Sequence, residues 1–360
     1  MKPKILAFLL SLFLCIGLIT GCSQTTPTQT DPAKATKTIT DCAGRTVEIP
    51  QKPERVACLY ASTAHITTLL GKEDTIVGIP KGIKRDVLMQ RKRPDIGTVS
   101  VPFQESSINI EELLKINADL VLIRQSTAEN SGETEKLKKA GIPYVVVDYT
   151  TIDTLKQAIS VTGAVFDEHE KANAYNAFCD ETLALVQSRL ADLPEDQKIS
   201  LYHAVNEAAR TDLAGDICSE ITTRAGSINV ALTGGSLISE KEKTMTTLEQ
   251  IYTWNPEVFI VNDFNTANYI RTDPKWTGLN AVQQGKVINL PVGVTRWCHP
   301  GSMEPQMATL FIAKTLYPDR FADIDLPAYT RDYYEKYFGL ALDEEEINAV
   351  LSGEGMRAAK

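Results

Sequence analysis

"INIEELLKINADLVLI", Ile108 to Ile123, is the stretch that decides the fold. An acid opens a helical pattern over 109–118, and a turn containing Asn117 interrupts it. The run "DLVLI" (119–123) then follows without polar alternation. A strand that does not alternate is buried on both faces, as in a parallel sheet covered by helices. The same order recurs at "MTTLEQIYTWNPEVFIV" (245–261), with helix 246–256, the turn Asn255-Pro256 and strand 257–263. Such a repeat predicts two similar α/β lobes.

The flanking sequence continues this alternation. In the first half, Thr38–Thr40 and Thr46–Ile49 alternate around Gly44 and suggest a hairpin. Strands are expected at 55–59, 75–79 and 143–148, and helices from Ala64, at 133–141 and at 151–166. Ser62 or Thr63 is placed to cap the helix from Ala64. In the second half, strands are expected at 198–205 and 287–292, and helices at 215–226 and 303–318. Between the halves, 167–193 contains neither Gly nor Pro. A helix of that length extends roughly 40 Å, suitable for a strut. Its expected apolar stripe is Ala172, Tyr175, Phe178, Ala184 and Leu190. The expected organisation is a first lobe at 38–165, a linking helix at 166–193, a second lobe at 194–325 and a helical extension at 326–360 packed on the second lobe.

The N-terminus reads as a targeting segment rather than fold. Lys2 and Lys4 precede an apolar run, Ile5 to Ile19, that is short for a bilayer span and has signal-peptide proportions. It ends in "LITGC", which resembles a bacterial lipobox and implies cleavage after residue 21 and acylation of Cys22. Residues 22–37 are Ser-, Thr-, Gln- and Pro-rich and read as a flexible tether. Export and a lipid anchor on the extracytoplasmic side of a membrane are therefore expected. The formal net charge of −9 argues against nucleic-acid partners. The cysteines after Cys22 are Cys42, Cys58, Cys179, Cys218 and Cys298, an odd set without C-x-x-C spacing. They are expected to be small buried thiols rather than a disulfide framework or a zinc site.

The segments "TITDCAGRTVEIPQKPERVACL" (38–59), "NIEELLKINADLVLI" (109–123), "LEQIYTWNPEVFIV" (248–261) and "VQQGKVINLP" (282–291) resemble the substrate-binding proteins of ABC importers for iron complexes and vitamin B12. The likeness covers about residues 38 to 320. It implies two Rossmann-like lobes with mostly parallel sheets, one rigid linking helix and a ligand cleft between the lobes. It also implies an ABC permease dimer with its ATPase subunits as partner. One acid on each lobe would dock to that permease: Glu111, with Glu112 beside it, and Glu249. Both also suit first-turn helix positions on dipole grounds alone.

Ligands of open α/β sheets bind beyond the carboxyl ends of the strands. That rule selects Tyr60, Ser62, Arg124, Gln125 and Tyr149 in the first half. In the second it selects His203, Asn206, Asn262, Asn265, Arg296, Trp297 and His299, the last three within "VTRWCHPGSME" (294–304). Arg296 and Arg124 suit anions or a local acid, and Trp297 and Tyr60 suit stacking or packing. His203 and His299 suit contact with a ligand's iron or a structural role, and Cys298 suits burial. No metal of the protein's own, no cofactor and no catalytic motif is expected. The expected cargo is a ferric siderophore or haem, with cobalamin and the oxyanions molybdate and tungstate as alternatives. A metal–tetrapyrrole enzyme on the same scaffold and a surface adhesin are readings from other classes. A monomer is expected.

Overall fold

The computed structural model describes residues 35–240 and 243–357. The targeting segment, Cys22 and the tether up to residue 34 lie outside the described residues. The first strand, Thr36–Thr40, begins inside the expected tether and pairs antiparallel with Thr46–Pro50. Asp41 locks the turn between them. Its carboxylate accepts from the Ala43 and Arg45 amides at 3.0 Å each, and from the Val146 amide at 3.1 Å. The hairpin is thereby fastened to the edge of the first sheet.

Two four-stranded parallel sheets form the frame. One runs Ile76–Gly78, Val56–Cys58, Leu120–Ile123, Tyr144–Val146 in spatial order. The other runs Ile228–Asn229, Ser200–Ala204, Val258–Val261, Val287–Asn289. In each, the strand first in sequence lies between the second and the third. The repeat that opens the sequence reading is thus a repeat of topology. It extends to the helix ends: Asn117 and Asn255 both take left-handed φ, 50° and 41°. Asn tolerates that conformation, and each stops its helix just before a central strand. Those central strands, Leu120–Ile123 and Val258–Val261, are buried along their whole length.

The linking helix is His169–Leu190, shorter than the expected 167–193 because Asp167 closes the preceding Ile152–Phe166 helix at φ 58°. Its buried face is Ala172, Tyr175, Cys179, Thr182, Leu183 and Val186. Ala184, expected in that stripe, is exposed, because Pro305–Leu316 and Ile152–Phe166 pack on the face that carries Cys179 and Leu183. Ser62 and Thr63 do not cap the helix after Val56–Cys58. That helix is Ala61–Leu69, its N-cap is Tyr60, and no side chain caps it. A three-stranded antiparallel sheet of Arg210–Thr211, Lys243–Met245 and Ile238–Glu240, and the Phe264–Thr272 helix, were not anticipated.

The extension also departs from its expected place. Leu326–Phe338 buries Tyr333, Tyr334 and Phe338, and Phe178 of the linking helix stacks on Tyr329 and Tyr333. Glu344–Ser352 and the residues after it touch both halves. Val292 donates to the Val350 carbonyl at 2.9 Å, and Val87 donates to the Met356 carbonyl at 3.3 Å.

Candidate ligand-binding site

The strand order places the carboxyl ends of Val56–Cys58 and Leu120–Ile123 side by side, and likewise those of Ser200–Ala204 and Val258–Val261. At the first pair, the Arg124 guanidinium lies 4.2 Å above the Tyr60 ring. At the second, Asn206 adopts a left-handed φ of 65° and its amide donates to Asn262 Oδ1 at 2.8 Å. Asn262, itself buried, donates to the Cys298 carbonyl at 2.8 Å. Asn262 therefore positions Asn206 and the 294–304 loop rather than reaching into a cleft.

Between the two switch points lies a cavity of about 90 Å³. Its lining includes Ala61, His65 and Asp86 from the first half, Arg296, His299 and Gly301 from the second, and Arg357. Arg296 donates to Asn206 Oδ1, and at 2.7 Å to His299 Nε2. Both partners are neutral, and among the described residues no carboxylate pairs with Arg296. Burial, with Arg357 nearby, lowers its pKa to about 10. Burial and the Arg296 charge hold His299 well below the ordinary imidazole range, so it stays a neutral ring whose Nε2 accepts the guanidinium's hydrogen bond. Asp86 pairs with Arg357 Nε at 2.8 Å and lies 3.6 Å from His65 Nε2. The cavity thus carries two guanidiniums against one carboxylate. At one edge, the uncapped start of Ala61–Leu69 offers backbone N–H groups.

The sequence-derived candidates divide. Arg296, His299 and Asn206 are brought together, and Tyr60 and Arg124 flank the same strand ends. Ser62 is half-buried in the first turn of Ala61–Leu69. Trp297 corrects the stacking expectation: it is fully buried, donates to the Tyr334 hydroxyl at 3.0 Å and packs edge-on to Phe311. Gly293 leaves room for this, since a Cβ there would overlap the Tyr334 hydroxyl. His203 is also fully buried and bonds Asp212 through Nδ1 at 2.7 Å, away from the cavity. Tyr149 joins the two halves, donating to the Ser302 carbonyl at 3.1 Å. Gln125 and Asn265 are exposed at helix starts. Glu111 and Glu249 are exposed first-turn acids of Ile110–Lys115 and Leu248–Trp254, whose caps Asn109 and Thr247 accept from the third helical amide. Glu112 instead accepts from Ser100 at 2.9 Å.

Sequence reasoning missed His65, Asp86 and Arg357. His65 had a signal: it lies four residues after Ala61, on the same helix face as the residue at the strand end. Asp86 and Arg357 had none, because only the tertiary return of the chain end brings them there.

Comparison with known proteins follows the same outline. Residues 56–292 match the periplasmic binding protein family. The molybdate-binding protein MolA of Haemophilus influenzae is 27% identical over 333 residues, covering 85% of this chain and 92% of MolA. A structure of MolA bound to molybdate superposes with a TM-score of 0.74 at 25% identity, covering 85% of this chain and 99% of that one. The petrobactin-binding protein YclQ of Bacillus subtilis is 22% identical over 262 residues, covering 68% of this chain and 76% of YclQ. A periplasmic solute-binding protein from Veillonella parvula has a TM-score of 0.77 at 24% identity, covering 89% of this chain and all of that one, and shares the fold. Paired parallel sheets of one strand order, a helix between them and a family match across both together establish that the chain belongs to the periplasmic binding proteins, the substrate-binding components of ABC importers.

Proposed function

We propose that this protein captures a small tetrahedral oxyanion of the molybdate or tungstate class and hands it to an ABC permease. One observation carries the reading: a cavity of about 90 Å³ holds a half-buried, largely desolvated guanidinium whose bonded partners are both neutral. A buried cation without a counter-charge is costly, and an anion that completes the pair recovers that cost. Guanidinium forks and helix-start amides both suit oxyanion oxygens. Organic chelates occupy sites of roughly 300 Å³ or more. The ferric siderophore or haem expected from sequence is therefore disfavoured, and with Trp297 in the core one of the two expected stacking residues is lost. The likeness to a molybdate-binding protein supports the same choice. Acylation at Cys22 would hold the protein at the extracytoplasmic membrane face, and Glu111 and Glu249 would engage the permease.

Isothermal titration with molybdate, tungstate, sulfate and a ferric siderophore tests this. Heat from molybdate or tungstate, weakened roughly 100-fold in Arg296→Ala, is the expected result. Binding of the ferric siderophore alone, unaffected by Arg296→Ala, would overturn it.

A further inference from the structure

Beneath the ligand loop, on its side away from the cavity, four metal-binding side chains converge. His203 lies on Ser200–Ala204, Asp212 follows Arg210–Thr211, Cys218 sits in the first turn of Ile217–Arg224, and Cys298 lies between Arg296 and His299. All four are buried, with relative exposures of 1% or less. Ligand atoms of His203, Cys218 and Cys298 lie within 4.8 Å of one another. Asp212 Oδ1 is 2.7 Å from His203 Nδ1, and Cys298 Sγ is 3.7 Å from the same nitrogen.

That shared nitrogen excludes a nucleophile relay, in which thiol and carboxylate address opposite ring nitrogens. It suits a metal centre. With zinc–sulfur bonds of about 2.3 Å and zinc–nitrogen bonds of about 2.05 Å, a tetrahedral S···N edge is about 3.6 Å. The Cys298–His203 spacing matches that edge, and the Asp212 oxygen needs only to move outward by about half an ångström to meet a nitrogen–oxygen edge. Asp212 is already oriented from behind: its Oδ2 accepts from Asn229 Nδ2 at 2.7 Å, and Asn229 also donates to Thr222 at 3.2 Å. Carboxylate ligands are held in this way in metal sites. Asp212 also lines a cavity of about 240 Å³ on the far side, with Asp216, Arg210 and Lys243, which gives an ion a route inward.

We infer that His203, Asp212, Cys218 and Cys298 form a closed tetrahedral site for a zinc-class divalent ion. Two thiolates and an imidazole select such an ion over calcium or magnesium. Four protein ligands leave no open position, so the ion is structural and distinct from the cargo. It ties Ser200–Ala204 of the second sheet to the Ile217–Arg224 helix and to the loop that presents Arg296 and His299.

Cobalt reports the geometry. The purified protein, reduced and metal-free, is titrated with Co²⁺ both in its folded form and during refolding from urea. One equivalent with the ligand-field and thiolate charge-transfer absorption of tetrahedral cobalt is expected in at least one of these. The absorption should vanish in the Cys218→Ser, Cys298→Ser double variant, with circular dichroism confirming that it folds. Should that variant not fold, Asp212→Asn replaces it, and an altered cobalt spectrum is expected there. No cobalt–thiolate absorption in the wild-type protein under either regime overturns the inference without reference to any variant. An unchanged spectrum in the folded variant overturns it, as does a Cys218–Cys298 disulfide found in the natively exported protein by mass spectrometry without reduction.

Discussion

Glu304 carries its carboxyl in full burial, accepting from the Thr295 hydroxyl and, at 2.9 Å, from Tyr334. Burial outweighs these donors and raises its pKa from 4.5 to about 7. Between those values the folded protein holds a proton that the unfolded chain has released. The stability due to neutral Glu304 is complete below about 4.5 and is lost as pH rises through about 7, by roughly 3 kcal/mol. Glu304→Gln fixes the neutral form, so its urea midpoint should lack this part of the decline between about pH 4.5 and 7 seen in wild type. Equal declines in both proteins would exclude the assignment. Trp297 belongs to the same knot. Trp297→Ala should lower unfolding free energy by about 3–5 kcal/mol, read by urea denaturation, whereas a stacking residue would cost affinity and little stability. Residue types in "TRWCHPG" were legible, and two of them, Arg296 and His299, line the cavity. Their directions were not, because in a loop the side-chain direction follows from long-range partners. Trp297 turns inward to meet Tyr334, and nothing local announces that.

Elements with a strong local pattern were legible. The continuous apolar runs became the buried parallel strands, and "INIEELLKINADLVLI" and its echo became matching helix–turn–strand units. Elements that owe their existence to neighbours were not. Ile238–Glu240 and Arg210–Thr211 are too short to show a period, and pair only because Lys243–Met245 returns between them. The chain end is the plainest case. Arg357 reaches Asp86 across the cavity, and Gly353 at φ 71° ends its helix against the Leu290 carbonyl, where a Cβ would come within 2.7 Å. Arg357→Ala removes one of two guanidiniums from the cavity wall while sparing the helices. Oxyanion affinity should fall roughly 10-fold by calorimetry, from a partly exposed charge-assisted contact, with little change in melting temperature. Unchanged affinity would make Arg357 a clasp for Asp86 only.

At the scale of the molecule, two sheets of one strand order face a common cavity, and a short list of contacts fixes their spacing. Tyr149 reaches Ser302, the Ile152 amide donates to Glu220 at 2.9 Å, and Tyr175 reaches the Met303 carbonyl. These contacts tie the two sheets together across the cavity. Lysine at both Glu111 and Glu249 should abolish transport in an uptake assay and leave solution affinity for the oxyanion unchanged. Lowered affinity would assign these acids to the binding site or to stability instead. The cavity wall is assembled from Ala61, His65 and Asp86, from Arg296 and His299, and from Arg357, so no fragment shorter than 61–357 contains it. Cargo affinity is therefore a certificate of completed folding. A chain clipped within either half lacks part of that wall.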